Sequence, residues 1–196
     1  MATATHTQGK DKRKCIILSV GALALLGIIA ATVVAVVNRG NKTLSPQATV
    51  NSITDYEPIS LAEEAQTAGV TDAARCLNED GKFVCYAVTA FGEGFNDRVG
   101  VTSYLSENGK KLIAIRVVSN RETEGQGKEV ADSEFVQRFE EAKLPTWLYD
   151  GTVAEADMGK QDGTKIDALS GATVSSRAVV DAVNAAYTYF QNYMKK

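Results

Sequence analysis

Asp167-Ala168-Leu169-Ser170-Gly171-Ala172-Thr173 gathers a carboxylate, two hydroxyls and a glycine immediately ahead of a run with helical periodicity. In that run Val179, Val183, Ala186, Tyr187, Phe190 and Met194 recur at three- and four-residue steps, which predicts an amphipathic helix starting at or next to Thr173. The first N–H groups of a helix lack internal partners and carry partial positive charge, so an anion is stabilised there, a phosphate especially. Gly171 and Ala172 add little bulk, and the Thr173 hydroxyl would project into the same space. A plainer role fits the same residues: Ser170 or Thr173 could simply cap the helix.

A second stretch, Arg121-Glu122-Thr123-Glu124-Gly125-Gln126-Gly127, holds two glycines two apart. Such a bend can lay a flat ring against peptide groups, although most glycine-rich bends are only turns. What is missing narrows the chemistry. The sole histidine, His6, lies near the N-terminus, so the body of the chain offers neither a histidine triad nor a histidine metal site. There is no phosphate-binding Walker loop, no dinucleotide fingerprint after a strand, and no Cys-x-x-Cys for an iron–sulfur cluster. Neither a catalytic residue nor a metal ligand is expected, and what remains suits a carrier whose reactive group is borrowed.

Asp-x-x-Ser-Gly-Ala-Thr resembles the flavinylation motif of the FMN-binding domain family found in the RnfG and NqrC subunits of ion-pumping redox complexes. All its specified positions match. Glu122, Thr123, Gly125 and Gly127 resemble the family's Glu-Thr-Pro-Gly-x-Gly flavin-pocket segment, with Glu124 in place of Pro and Gln126 where Leu is frequent. The resemblance, closer in length to RnfG, implies FMN esterified through its phosphate to Thr173 by a separate flavin transferase. It implies that Ser170, Gly171 and Ala172 shape the phosphate site, and that Glu122, Thr123, Gly125 and Gly127 line the ring or ribityl chain. By the same resemblance the chain is an electron-transfer subunit among other membrane subunits of an Rnf complex, coupling ferredoxin and NAD+ redox chemistry to Na+ or H+ transport. The alternatives are an NqrC role in an NADH:quinone pump and a flavin-free assembly module.

The elements that must position these residues begin with a membrane anchor. Cys15 to Val37 is 23 residues without a charge, long enough to cross a bilayer. Four basic residues precede it, against Arg39 and Lys42 after it, which places residues 1–14 in the cytoplasm and the rest outside. Gly27, Ala31 and Ala35 form a small-residue stripe that suits either a neighbouring helix or lipid. Residues 38–50 read as a tether and 51–196 as an extracytoplasmic FMN-binding domain. Residues 1–42 carry six basic residues against Asp11, a balance of +5, which leaves −8 on the remainder of a chain whose net charge is −3. An acidic body argues against nucleic acid.

The domain reads as α+β, an antiparallel sheet with flanking helices. A short helix is expected over Ser60–Ala68, ending at Gly69. Asp80-Gly81 predicts a two-residue hairpin turn that sets Leu77 opposite Val84 and Cys76 opposite Cys85, close enough for a disulfide or for two packed thiols. A strand over Val84–Phe91 follows. Asn108-Gly109 predicts a second hairpin over Val99–Val118, pairing Leu105 with Leu112 and Tyr104 with Ile113. A helix is expected from Asp132 or Ser133 through Ala142, then an irregular or extended piece at Leu144–Tyr149 whose Trp147 suits an ordinary core better than a flavin contact. A polar loop over Gly151–Thr164 leads into the strand-like Lys165–Asp167.

Overall fold

β-Branched and aromatic residues separated by glycine turns build the centre of the domain, a five-stranded antiparallel sheet in chain order. Its strands are β1 (Asp55–Pro58), β2 (Val70–Leu77), β3 (Phe83–Glu93), β4 (Arg98–Leu105) and β5 (Leu112–Ser119). The structure, a computed structural model, describes residues 44–152 and 162–195. The expected cytoplasmic tail and membrane helix therefore lie outside the described residues, as do residues 38–43 of the tether and most of the polar loop after Gly151. Among the described residues no helix is long and apolar enough to cross a membrane.

Strand alternation gives the sheet two different faces. On one, Val88, Ala90, Val99, Val101 and Leu105 meet Ala178, Val179, Val180, Ala182, Val183 and Ala186, and this is the main core. On the other, Cys76, Cys85, Ala87, Tyr104 and Ala114 form a smaller cluster with Val50. Val50 belongs to α1 (Pro46–Asn51), whose start is capped by the Ser45 side chain accepting from Ala48 N–H at 3.2 Å. Part of the expected tether is thus helical.

Each hairpin keeps one expected pair and shifts the other. Cys76 faces Cys85, yet Leu77 faces Phe83 rather than Val84. The turn spans three residues, Glu79 to Gly81, with Gly81 at φ 70°, and an irregularity after Leu77 restores the register. Leu105 faces Leu112, while Tyr104 faces Ala114 because β5 also shifts register there. Its four-residue loop turns at Gly109, φ 65°, where a Cβ would strike the Phe190 ring.

Three helical expectations are corrected or refined. Ser60–Ala68 yields only a 3-10 turn at Glu63–Ala65, because Ala62 is extended and donates its N–H to the Tyr189 hydroxyl at 2.7 Å. The expected 132–142 helix reduces to α2 (Ser133–Val136) and a 3-10 turn at Gln137–Phe139. It stops there because the next backbone is drawn to β5: Glu141 N–H donates to Ile113 C=O and Leu112 N–H to Ala142 C=O, at 3.2 and 2.8 Å. The C-terminal helix α3 (Thr173–Tyr189) begins where its periodicity predicts and continues as a π turn at Phe190–Met194.

Between these helices β6 (Thr146–Tyr149) and β7 (Thr164–Asp167) pair in parallel as a separate two-stranded sheet. Asn184 of α3 fastens it. Its side chain accepts from Thr146 N–H at 2.9 Å and donates to Thr146 C=O at 2.7 Å. β7 therefore delivers Asp167 and the following motif to the start of a helix already fixed on the sheet.

Candidate functional site

The motif crosses from β7 to α3 through a bend in which Gly171 takes φ 77°, a conformation that costs an L side chain and not glycine. Ala172 N–H donates to Leu169 C=O at 3.0 Å, and Leu169 N–H donates to the buried Ser176 hydroxyl at 3.0 Å. These bonds fold the motif back onto the first turn. Thr173 is the first residue of α3, half-buried, and no side chain caps this helix. Neither Ser170 nor Thr173 is therefore the cap, and the N–H groups of the first turn are not taken by a side-chain cap. Ser170 is exposed at the bend.

That uncapped end opens on a cleft of about 410 Å³ lined by Phe95, Gln126, Gly171, Ala172, Thr173, Val174 and Ser175. Phe95 is 70% exposed and Val174 48%, so two large apolar side chains of the cleft have little else to pack on. An uncapped helix start beside the exposed apolar side chains of Phe95 and Val174 suits a ligand with an anionic end and a flat apolar body. A larger cleft of about 750 Å³ lies at the other end of α3, against Ile59, Tyr86, Phe190 and Tyr193, and contains none of the motif residues. Size alone would select it. The chemistry selects the cleft at Thr173.

The second predicted stretch is beside this cleft, but it faces it with a different residue. Gln126 lines the cleft, whereas Glu122, Thr123, Gly125 and Gly127 do not: Glu122 and Gly127 are buried next to it, and Thr123 and Gly125 are exposed. Glu122 is 6% exposed, and its carboxylate accepts from the backbone N–H of Phe95 (3.0 Å), Asn96 (2.9 Å) and Asp97 (3.2 Å) and from the Ser175 hydroxyl. Burial acts to raise its pKa. The Ser175 bond and the three backbone bonds outweigh that and hold the carboxyl below its ordinary range. Thr123 accepts from the Asn96 side chain at 2.6 Å. The N–H groups of Gly125 and Gly127 donate to the carboxylate of Glu129, at 2.6 and 3.0 Å. These and its own backbone N–H lower the Glu129 pKa.

Sequence reasoning missed Phe95, Val174, Ser175 and Glu129. Phe95 and Ser175 are 80 positions apart and only the fold brings them together, while Glu129 carried a readable signal as an acidic residue just past a glycine bend. Trp147 lies on another surface with Arg177, Val180 and Asp181, away from the cleft. Cys76 and Cys85 face each other, fully buried and not bridged in this structure, and the adjacent Cys76 side chain, then burial, push the Cys85 thiol up. Among the described residues no cluster of histidine, cysteine and carboxylate groups could hold a metal ion.

A helix start without a side-chain cap, a hydroxyl on its first residue and exposed apolar neighbours suit a phosphate-bearing aromatic cofactor. Residues 94–188, from the loop of Phe95 nearly to the end of α3, match the FMN-binding domain. The chain is 30% identical over 149 residues to the G subunit of the ion-translocating oxidoreductase complex of Methanosarcina acetivorans, covering 76% of this chain and 71% of that one. It belongs to the FMN-binding domain family. The G subunit of the same complex in Pseudomonas aeruginosa is 40% identical over 95 residues, 47% of this chain and 39% of that longer protein. In fold the domain is similar to NqrC of Shewanella oneidensis (TM-score 0.52, 20% identity, 74% of this chain and 72% of that one). It is similar too to the C subunit of the Na+-translocating NADH-quinone reductase of Parabacteroides distasonis (TM-score 0.55, 14% identity, 74% and 79%). The residues at the cleft fit FMN in kind, with an uncapped helix start suited to a phosphate and apolar Phe95 and Val174 suited to a ring.

Proposed function

We propose that this chain is an electron-transfer subunit of a membrane Rnf-type complex and carries FMN as a phosphoester on Thr173. The observation that carries this is the uncapped start of α3, with the motif's threonine as its first residue on an apolar-walled cleft. In the attachment step a flavin transferase uses FAD as donor. The Thr173 oxygen forms a bond to the flavin-side phosphorus, the pyrophosphate bond breaks, AMP leaves, and the hydroxyl proton passes to a base of the transferase. The N–H groups at the start of α3 then face the phosphate's remaining negative charge. FMN, when bound, supplies one- and two-electron chemistry. Phe95, Gln126 and Val174 orient it, and Gly171 keeps the approach to Thr173 free of side-chain bulk.

The parent complex we infer couples ferredoxin:NAD+ oxidoreduction to Na+ or H+ transport, with an extracytoplasmic domain anchored through Cys15–Val37 and partners among the complex's other membrane subunits. The similarity to the G subunits of ion-translocating oxidoreductase complexes supports this assignment. A second reading, the NqrC-type subunit of an NADH:quinone pump, is favoured by the folds of the solved NqrC structures. Purification of the native complex separates the two: NADH-dependent quinone reduction by it would exclude the Rnf assignment. For the flavin itself, the chain is expressed with an active flavin transferase, denatured, and examined by in-gel flavin fluorescence and intact mass. The parent is expected to gain FMN less one water and Thr173→Ala to gain nothing. An unmodified parent would reduce the domain to a flavin-free assembly module.

A further inference from the structure

The Glu122 carboxylate joins three segments far apart in sequence. It comes from the bend after β5, takes three consecutive N–H groups of the loop between β3 and β4, and accepts from Ser175 in the first turn of α3. The packing around it leaves no space to spare. A Cβ on Gly94 would stand 2.7 Å from a Glu122 carboxylate oxygen, and one on Gly127 would press on the Ser175 hydroxyl and come 3.2 Å from Glu122 Cβ. Two of the residues it grips, Phe95 and Ser175, line the cleft at Thr173. Phe95, 70% exposed, has no core of its own to hold it.

We infer that Glu122 is a positioning residue of the flavin site: its carboxylate latches the Phe95 loop to the helix turn that starts at Thr173 and fixes a negative charge directly behind the cleft wall. The inference rests on the flavin reading above, and it separates two effects of one side chain. The hydrogen bonds hold the wall in place. The charge disfavours adding an electron to a group in the cleft, because like charges repel and the buried carboxylate is itself little screened by water. Removing the charge alone should therefore raise the flavin midpoint potential, while shortening the side chain should loosen the loop and leave the potential near its parent value.

The test uses the full chain and the variants Glu122→Gln, Glu122→Asp and Ser175→Ala. Amide hydrogen exchange at Phe95, Asn96 and Asp97 is measured before flavin loading, and the midpoint potential after it. Exchange at those amides is expected to rise about tenfold in Glu122→Gln and Glu122→Asp, since each loses bonds to a charged acceptor. The potential is expected to rise in Glu122→Gln and to stay close to the parent in Glu122→Asp. Ser175→Ala, which keeps the carboxylate, reports the latch if Glu122 variants fold poorly; its exchange should rise and its potential hold. Parent-like exchange in all three variants overturns the latch, and a parent-like potential in loaded Glu122→Gln overturns the role of the charge. A parent that takes up no flavin from an active transferase instead overturns the functional reading, and the exchange data still judge the latch.

Discussion

Replacing Gly92 with alanine tests whether the site depends on how tightly α3 lies on the sheet. A Cβ at Gly92 would stand 2.7 Å from the carbonyl carbon of Ala178 and 2.9 Å from its Cα, and nearer still to its oxygen. All three are backbone atoms, so no side chain can rotate aside. Ordinary carbon contacts lie at about 3.5–4.0 Å, so the helix must lift by roughly 1 Å. A gap of about that size forfeits on the order of a quarter to a half of each dispersion contact it opens, and Val179 and Val183 are fully buried against the sheet beside it. Overpacking of this kind costs about 1–3 kcal/mol, and the rigid neighbour argues for the upper end. At roughly 2–4 °C per kcal/mol for a domain of this size, thermal unfolding followed by circular dichroism should fall by about 6–12 °C. Because Ala178 lies only five residues beyond Thr173, loading of the cleft should fall too. A melting temperature within about 2 °C of the parent would show that the helix does not sit as described.

Four further outcomes are expected. Thr173→Ser keeps a hydroxyl at the same place and should still acquire covalent flavin, which intact mass checks against the unmodified Thr173→Ala. Asn184→Ala leaves the buried backbone of Thr146 without its partners and should lower stability by about 1–3 kcal/mol in urea unfolding. The Glu122 carboxyl has a folded pKa below its ordinary value, so its contribution is full above that ordinary value and disappears as pH falls through the folded one. The stability difference between the parent and Glu122→Gln should accordingly be largest near neutral pH and shrink below about pH 4. Oxidised glutathione supplies the oxidant for a Cys76–Cys85 disulfide. The domain over residues 51–196 should lose two hydrogens in mass and resist thiol alkylation under denaturing conditions, with Cys76→Ser abolishing the mass loss.

The parts of this fold legible in the sequence are those set by local chemistry. Asp80-Gly81 and Asn108-Gly109 announce hairpins, and the pairs Cys76 with Cys85 and Leu105 with Leu112 follow from counting outward. The count survives at Cys76 only because a three-residue turn and a register shift cancel. β1 gave no signal, since all four of its residues are exposed and nothing alternates. The parallel pairing of β6 with β7 joins two four-residue segments separated by a polar stretch of sequence, a long-range choice that no short window contains. The shortened 133–139 helix has the same origin: β5 captures the backbone at Glu141 and Ala142 against local preference. At the site, Thr173 and its helix start were legible from periodicity. The wall facing it was legible only in part: Gln126 lies in the second glycine stretch, whereas Phe95 comes from the loop between β3 and β4, which no local pattern links to Thr173.

The exposure of Phe95 and Val174 bears on how such a cleft would be used. A pocket that must retain a freely diffusing cofactor has to bury most of it, and burial hides the reacting edge from other proteins. An ester at Thr173 would remove that requirement, because a tethered group cannot be lost by dilution however shallow its seat. Retention and orientation would then be separate tasks, one given to a covalent bond and the other to a few side chains. The open side of the cleft would be free to meet a redox partner without a lid having to move first.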